Sequence, residues 1–506
     1  AMEIPENVLR QIPSQMANTY KIIPVDYDEN TNHLTIAMAS ADNFRATDDL
    51  RTLMGFNVTA LIAEPEELEA ALSKYYDVDS ENIGDLINEL AQDQELALLE
   101  NRGESIDLET IKGAADSSPV KRLVNMVLLE AIRNRASDIH FEPFEDEFKM
   151  RYRIDGLLYE MLPPPKSIAV AIASRIKVMA NLNIAERRLP QDGRIELVIG
   201  GSPVDLRVSV LPTMFGESVV MRVLDRSNVQ LDLDRLGMRE DDLRVFRQLI
   251  GRPNGICVVT GPTGSGKTTT LYSALSELNS VETKILTSEN PVEYDIDGLI
   301  QVQINDDIGL TFARCLRHFL RQDPDIILIG EIRDLETAQI AVQSSLTGHL
   351  VFTTLHTNDA PSAIARLLDL GLEPFLVTAT LEAIVAQRLV RTICTKCKKE
   401  FIPTEDMLME LGLTPEDVAG RTFYAGTGCE NCRNTGYSGR TAIFEIMVLD
   451  DDLRELIMNR ASTNQLREAA RKRGMRTLRE AGLLAIYDGV TTIEEVVSQT
   501  IYEDTD

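Results

Sequence analysis

The chain has 506 residues, 44% of them apolar and 26% charged, a globular composition that excludes a mainly disordered or collagen-like polymer. At about 150 residues per domain, this length predicts three or four domains. The net charge of −29 argues against a general nucleic-acid binder, because phosphate contacts need clustered cations; a local basic groove is still compatible with it.

No uncharged apolar run reaches the roughly 18 residues that would suggest a membrane span. The most apolar stretch, 168–182, is broken by Arg175 and Lys177. The opening AMEIPENVLR has neither the basic nor the apolar region of a signal peptide. Six cysteines, four of them in two CxxC pairs, suggest a reducing compartment and a metal site rather than a disulfide scaffold. The expected compartment is the cytoplasm.

Residues 1–78 read as a small α/β domain. HLTIAMA (His33–Ala39) and NVTALIA (Asn57–Ala63) are its strands, and FRATDDLRTLM between them has helical spacing. Residues 79–116 are an acidic linker, with room for a short helix at 81–100. Residues 117–228 form an α+β domain. Ser118 as N-cap and Pro119 in the first turn open an amphipathic helix, PVKRLVNMVLLEAIRNRA. The strands KMRYRID, RIELVIG, PVDLRVSVL and SVVMRVLD follow, with Gly200-Gly201 as a hairpin turn. Residues 229–236 are a linker. From 237 to 390 the runs GICVVTG, KILTSEN, DIILIGE and HLVFTTL alternate with helical segments. That pattern predicts a mostly parallel sheet with helices on both faces. Residues 391–440 hold the cysteine pairs. Residues 441–506 read as helical, with caps at Asp450–Asp452 and Ser462-Thr463.

The strongest motif is GPTGSGKT, Gly261–Thr268, which fits a phosphate loop between a strand and a helix. Its backbone N–H groups (Gly261, Thr263, Gly264, Ser265, Gly266, continuing to Thr269) would cradle phosphates, and the helix N-terminus adds partial positive charge. Lys267 would reach the β- and γ-phosphates, and the Thr268 hydroxyl would hold Mg²⁺. DPDIILIGEIRD places Glu331 at the end of a buried strand, where ligands collect in a parallel sheet. Alone, Glu331 would read as a surface residue; beside a phosphate loop it is a candidate to hold magnesium or orient water. TSENPVEY offers Glu289 and Glu293, which could polarise water or simply line a solvated turn around Pro291. His356 closes the strand of TGHLVFTTLHT and could sense a γ-phosphate, although a lone histidine is more often structural.

CTKC (Cys394, Cys397) and CENC (Cys429, Cys432) are separated by 31 residues. Four thiolates in a tetrahedron suit structural zinc and leave no open catalytic position. Cys257 and Cys315 lie in apolar contexts and read as core. Arg194, Arg207 and Arg222 in the middle domain, and Arg317, Arg321 and Arg333 near the nucleotide motifs, are candidate phosphate contacts. On spacing alone, a solvated strand face with ordinary salt bridges explains these arginines better.

Together these motifs resemble the secretion and pilus ATPase superfamily. RASDIHFEP (Arg135–Pro143), RLPQDGRIEL (Arg188–Leu197), the phosphate loop, the acidic segment, LIGEIRD, the histidine strand and QRLVRTIC (Gln387–Cys394) carry the resemblance, which spans about 117–500. The cysteine knuckles resemble those of pilus assembly and type II secretion ATPases; pilus retraction ATPases lack them. LPTMFGESVVMRVLD (Leu211–Asp225) is more similar to the pilus assembly branch than to the type II secretion branch.

The resemblance implies a RecA-like ATPase domain, a PAS-like middle domain and a homohexamer. ATP would lie between the middle and RecA-like domains, with Arg207 and Arg222 approaching it. Hydrolysis would move those domains through the 229–236 linker. Glu331 takes the Walker B position, Glu289 and Glu293 the acidic box, and His356 the histidine box. Where the box commonly has Asp, this chain has Asn290, which shifts weight onto Glu289 and Glu293. The implied reaction is Mg²⁺-dependent ATP hydrolysis driving pilin assembly. An inner-membrane platform protein and cytoplasmic assembly proteins are the partners. No nucleic acid is expected, and membrane contact is expected only through partners. The type II secretion motor, a non-hydrolysing nucleotide-gated scaffold and a DNA-translocating relative are the alternatives. Residues 1–78 resemble the later half of the family's N-terminal domain. The arginine-containing opening through which some relatives bind cyclic di-GMP is not found, and Ala1-Met2 reads as a remnant on a shortened chain.

Overall fold

The computed structural model describes residues 118–199, 202–225 and 231–500, together with parts of 4–72. The acidic linker, with the short helix expected in it, lies outside the described residues. The chain divides into two compact units, Ala1–Val229 and Gln230–Asp506.

The first unit carries two sheets. β1 (Ile22–Asp28), β2 (His33–Met38) and β3 (Asn57–Ile62) lie in that order, β1 antiparallel and β3 parallel to β2. β2 and β3 match the two expected strands. β1 is additional: Pro24 breaks its pattern, and the register shifts between Pro24 and Asp26. An edge strand tolerates both, because one side of its backbone needs no ladder partner.

The second sheet is antiparallel, in the order β6-β5-β4-β9-β8-β7. Its strands are β4 (Asp138–Pro143), β5 (Phe148–Ile154), β6 (Leu157–Glu160), β7 (Gln191–Ile199), β8 (Ser202–Thr213) and β9 (Gly216–Asp225). The β7–β8 register runs out to Ile199 opposite Ser202, and the expected turn, Gly200-Gly201, lies outside the described residues. Helices Ser118–Arg133 and Ala169–Met179 share one apolar cluster with Ile139, Phe141, Met150, Tyr152, Leu206 and Met221. Helix 169–179 occupies the apolar stretch noted above. Within it Lys177 is fully buried, pairs with the buried Glu217 and donates to the Glu186 carbonyl at 2.7 Å.

The second unit is built on a seven-stranded sheet. Its strands begin with β10 (Gly255–Thr260), β11 (Ile285–Glu289), β12 (Leu299–Gln303), β13 (Ile326–Ile329), β14 (Leu350–Leu355) and β15 (Leu381–Ile393). A separate pair, β16 (Lys398–Phe401) and β17 (Phe423–Gly426), precedes β18 (Tyr437–Val448). The large sheet runs β12-β11-β13-β14-β10-β15-β18, parallel except for β18. Alternate residues feed two cores: Ile256 and Val258 join one cluster, Cys257 and Val259 the other. Both faces are therefore covered, as the βα alternation predicted.

Three of these strands differ from the sequence expectation. β12 and β15 were not anticipated, and β18 lies across 441, where a helical region was expected to begin. β15 is buried nearly throughout, so it shows no period-2 alternation to identify it. β18 is stabilised by pairing with β15 from Ala383–Val448 to Ile393–Tyr437, a partnership that no local pattern reveals. Four helices then follow, Asp451–Met458, Thr463–Lys472, Leu478–Tyr487 and Ile493–Gln499. Asp450 caps the first, and Ser462 forms a capping box with Gln465 on the second. Among the described residues no helix is long and apolar enough to cross a membrane.

Candidate nucleotide site and tetracysteine centre

All six residues of β10 are buried, and the strand ends directly in the glycine loop. Gly266 has φ 89°, a left-handed conformation that favours glycine, and a Cβ there would also press on Gln387 Nε2 at 2.8 Å. Helix Lys267–Leu278 starts at the next residue and aims its first N–H groups at the loop. Lys267 is only 9% exposed, and its Nζ donates to the carbonyls of Gly261 (2.8 Å) and Pro262 (2.9 Å). Burial lowers its pKa to about 8; Glu331 opposes that shift and Arg388 adds to it. Ser265 Oγ is buried without a hydrogen-bond partner among the described residues. Thr263 is exposed, and Thr268 and Thr269 are half-buried. A buried ammonium on neutral carbonyls, an unfilled hydroxyl and a helix N-terminus fit a polyphosphate.

Glu331 and His356 follow the neighbouring parallel strands β13 and β14, whose register pairs Ile329 with Thr353. That pairing brings His356 Nε2 to 3.4 Å from Glu331 Oε2. Arg333 meets the other Glu331 oxygen at 2.5 Å. Arg317 pairs with Glu336, and Arg321 contacts His318 Nδ1 at 3.3 Å. Arg333 therefore reaches the Glu331 carboxylate, whereas Arg317 and Arg321 make contacts elsewhere.

Glu289 ends β11 and is 4% exposed. It accepts from Tyr272 Oη, from Thr287 Oγ1 at 2.5 Å and from Gln301 Nε2 at 3.2 Å. Glu293 is half-buried, and its N–H donates to Tyr272 Oη at 3.3 Å.

Gln387 and Arg388 were read from the sequence only as a lead-in to the cysteines. The structure places them at the loop. Gln387 Oε1 accepts from Thr270 Oγ1 at 2.8 Å, and buried Arg388 donates to the Asn358 carbonyl at 2.8 Å. Reading LEAIVA as a strand would have put the next polar residues at the ligand edge.

In the first unit, cross-strand pairing lines up Arg153, Asp138, Arg222, Arg207 and Arg194 across one face. Arg207 and Arg222 lie directly opposite each other. Asp138 accepts from Arg222 Nε at 2.9 Å, and Asp205 pairs with Arg194 at 2.5 Å.

The four cysteine sulfurs lie within 4.8 Å of one another. The β15–β18 ladder closes the long gap between the knuckles by pairing Ile393 with Tyr437. The separations Cys394–Cys429 (3.9 Å), Cys397–Cys432 (3.7 Å) and Cys429–Cys432 (3.6 Å) match the roughly 3.8 Å edge of a tetrahedral zinc–thiolate centre. Burial opposes ionisation of Cys432, but N–H donors from Cys429 and Gly436 outweigh it and favour the thiolate. Cys257 and Cys315 are buried in the apolar clusters, and burial pushes the Cys257 thiol up to about 12.

Residues 113–498 match the family described as Type II/IV secretion system protein, and residues 1–82 match the MshEN domain. The chain is 48% identical over 500 residues to the type IV pilus assembly ATPase PilB of Myxococcus xanthus, covering 98% of this chain and 87% of that one. It is 46% identical over 491 residues to type II secretion system protein E of Dickeya dadantii, covering 97% of each. The solved structure of the Legionella pneumophila ATPase DotB aligns with a TM-score of 0.55 at 21% identity, covering 74% of this chain and 94% of that chain, a likeness of fold.

Proposed function

Because the chain belongs to the Type II/IV secretion system protein family and is a secretion and pilus ATPase, we propose that it powers type IV pilus assembly as a cytoplasmic homohexamer. The observation that carries the chemistry is the buried Lys267 at the phosphate loop, whose charge is favoured by Glu331, the carboxylate that His356 approaches. ATP and water become ADP and phosphate. Lys267 and the loop N–H groups hold the phosphates, and the unfilled Ser265 hydroxyl faces the same loop. Thr268 would hold Mg²⁺, which would neutralise charge on the phosphate oxygens. Glu331 orients the water, and Arg333 and His356 fix its carboxylate. Glu293 is a second carboxylate for the metal. Arg207 and Arg222 supply positive charge against the developing phosphate charge. Cys394, Cys397, Cys429 and Cys432 hold one structural zinc ion.

Glu331→Gln should still bind ATP but lose most turnover; near-normal phosphate release would sink the assignment. Whole-chain likeness to a pilus assembly ATPase supports the client, together with an inner-membrane platform protein and cytoplasmic assembly proteins as partners. The comparable likeness to a type II secretion protein supports the second reading. Deleting the gene and counting surface pili beside secreted protein separates them. Pili lost with secretion intact supports the first, and the reverse supports the second.

A further inference from the structure

The acidic segment offers two carboxylates, and their surroundings differ. Glu289 is enclosed and both its oxygens are taken: Oε2 accepts from Tyr272, Oε1 from Thr287 and Gln301. The three donors come from three elements, the phosphate-loop helix, β11 and β12. Tyr272 is fully buried, and burial together with the Glu289 charge holds its hydroxyl protonated as a donor. The same oxygen accepts from the Glu293 N–H. Gln301 also donates to the Tyr294 carbonyl at 2.9 Å and accepts from the Ile296 N–H at 2.8 Å. The turn after β11 is thus tied at Glu293, Tyr294 and Ile296 to one buried hub.

A water-activating carboxylate needs an accessible lone pair within reach of the water. Glu289 is shut away among protein donors. We propose that Glu289 is a positioning residue: with Tyr272 and Gln301 it locks the acidic turn to the phosphate-loop helix and so places Glu293. This deepens the reading that ATP is hydrolysed at the Lys267 loop.

The test uses the full chain with ATP. In Glu289→Gln the Tyr272 and Thr287 hydroxyls can reverse to suit the amide. We expect kcat to fall about three- to tenfold, the scale of one misplaced hydrogen bond, with KM within about twofold. A general base in that position would instead cost about 10²–10⁴-fold. Tyr272→Phe should cost about tenfold in kcat on the native background. In single turnovers on a Glu293→Gln background it should cost less than about twofold, because it acts through Glu293. A merely structural role would cost the same in both. One nucleotide-analogue site per chain confirms folding of each variant. A loss beyond about 100-fold in Glu289→Gln, or equal costs of Tyr272→Phe on the two backgrounds, overturns the proposal. Lys267→Ala serves as the separate control: if it retains turnover, the site reading itself has failed.

Discussion

Lys267 makes nucleotide affinity depend on pH in a calculable direction. Burial among neutral acceptors brings its ammonium down to about 8. At pH 7 about nine-tenths of the sites then carry the charge, and at pH 9 about one-tenth. A bound phosphate favours the charged form and raises this pKa, so binding takes up protons. Affinity is fully present below pH 8 and is lost as pH rises through it. If the bound lysine stays charged at pH 9, the Kd for MgADP should rise about tenfold between pH 7 and 9. Uptake should be about half a proton per site at pH 8. Isothermal titration in two buffers of different ionisation enthalpy reads both quantities. Lys267→Met, weaker throughout, should show neither. A flat Kd, or proton uptake that survives in the variant, would refute the argument.

Lys177→Met strands the buried Glu217 carboxylate, whose other cation partner among the described residues, Arg187, lies at 3.7 Å. Urea unfolding should show a loss of about 3–5 kcal/mol. Adding Glu217→Leu should restore much of it, and a loss under about 1 kcal/mol would show that the pair matters little. Freshly purified, unchelated protein should contain about one zinc ion per chain and lose it when Cys394 and Cys397 become serine. Metal analysis that finds none in the native chain counts against the centre.

The parts legible in the sequence are those whose physics is local. The phosphate loop is a strand, a glycine turn and a helix start in one contiguous stretch, and the two CxxC pairs state their ligands outright. Glu331 and His356 were recognised singly; their approach needs the parallel neighbours β13 and β14, a pairing between distant segments. The enclosure of Glu289 is less visible still, since Tyr272 and Gln301 approach from opposite directions along the chain. Its charge suggests chemistry, and its enclosure is visible only from its neighbours. β15 was missed because a strand buried on both faces shows no alternation, and Gln387 and Arg388 were missed with it.

The β15–β18 ladder also makes part of this chain exchangeable. Residues 394–436 leave the sheet at Ile393 and return at its partner Tyr437, so the excursion begins and ends at one address. Its closure entropy is already supplied by the ladder, and its length is free to drift. A shorter turn or a foreign insert could occupy the same port without shifting the register of either strand. One constraint travels with such an exchange. Leu408, Leu411 and Phe423 of the excursion cover Ile486, Ile493 and Val496 on the terminal helices. A chain without the excursion must carry polar side chains at those three positions or remain covered there by something else.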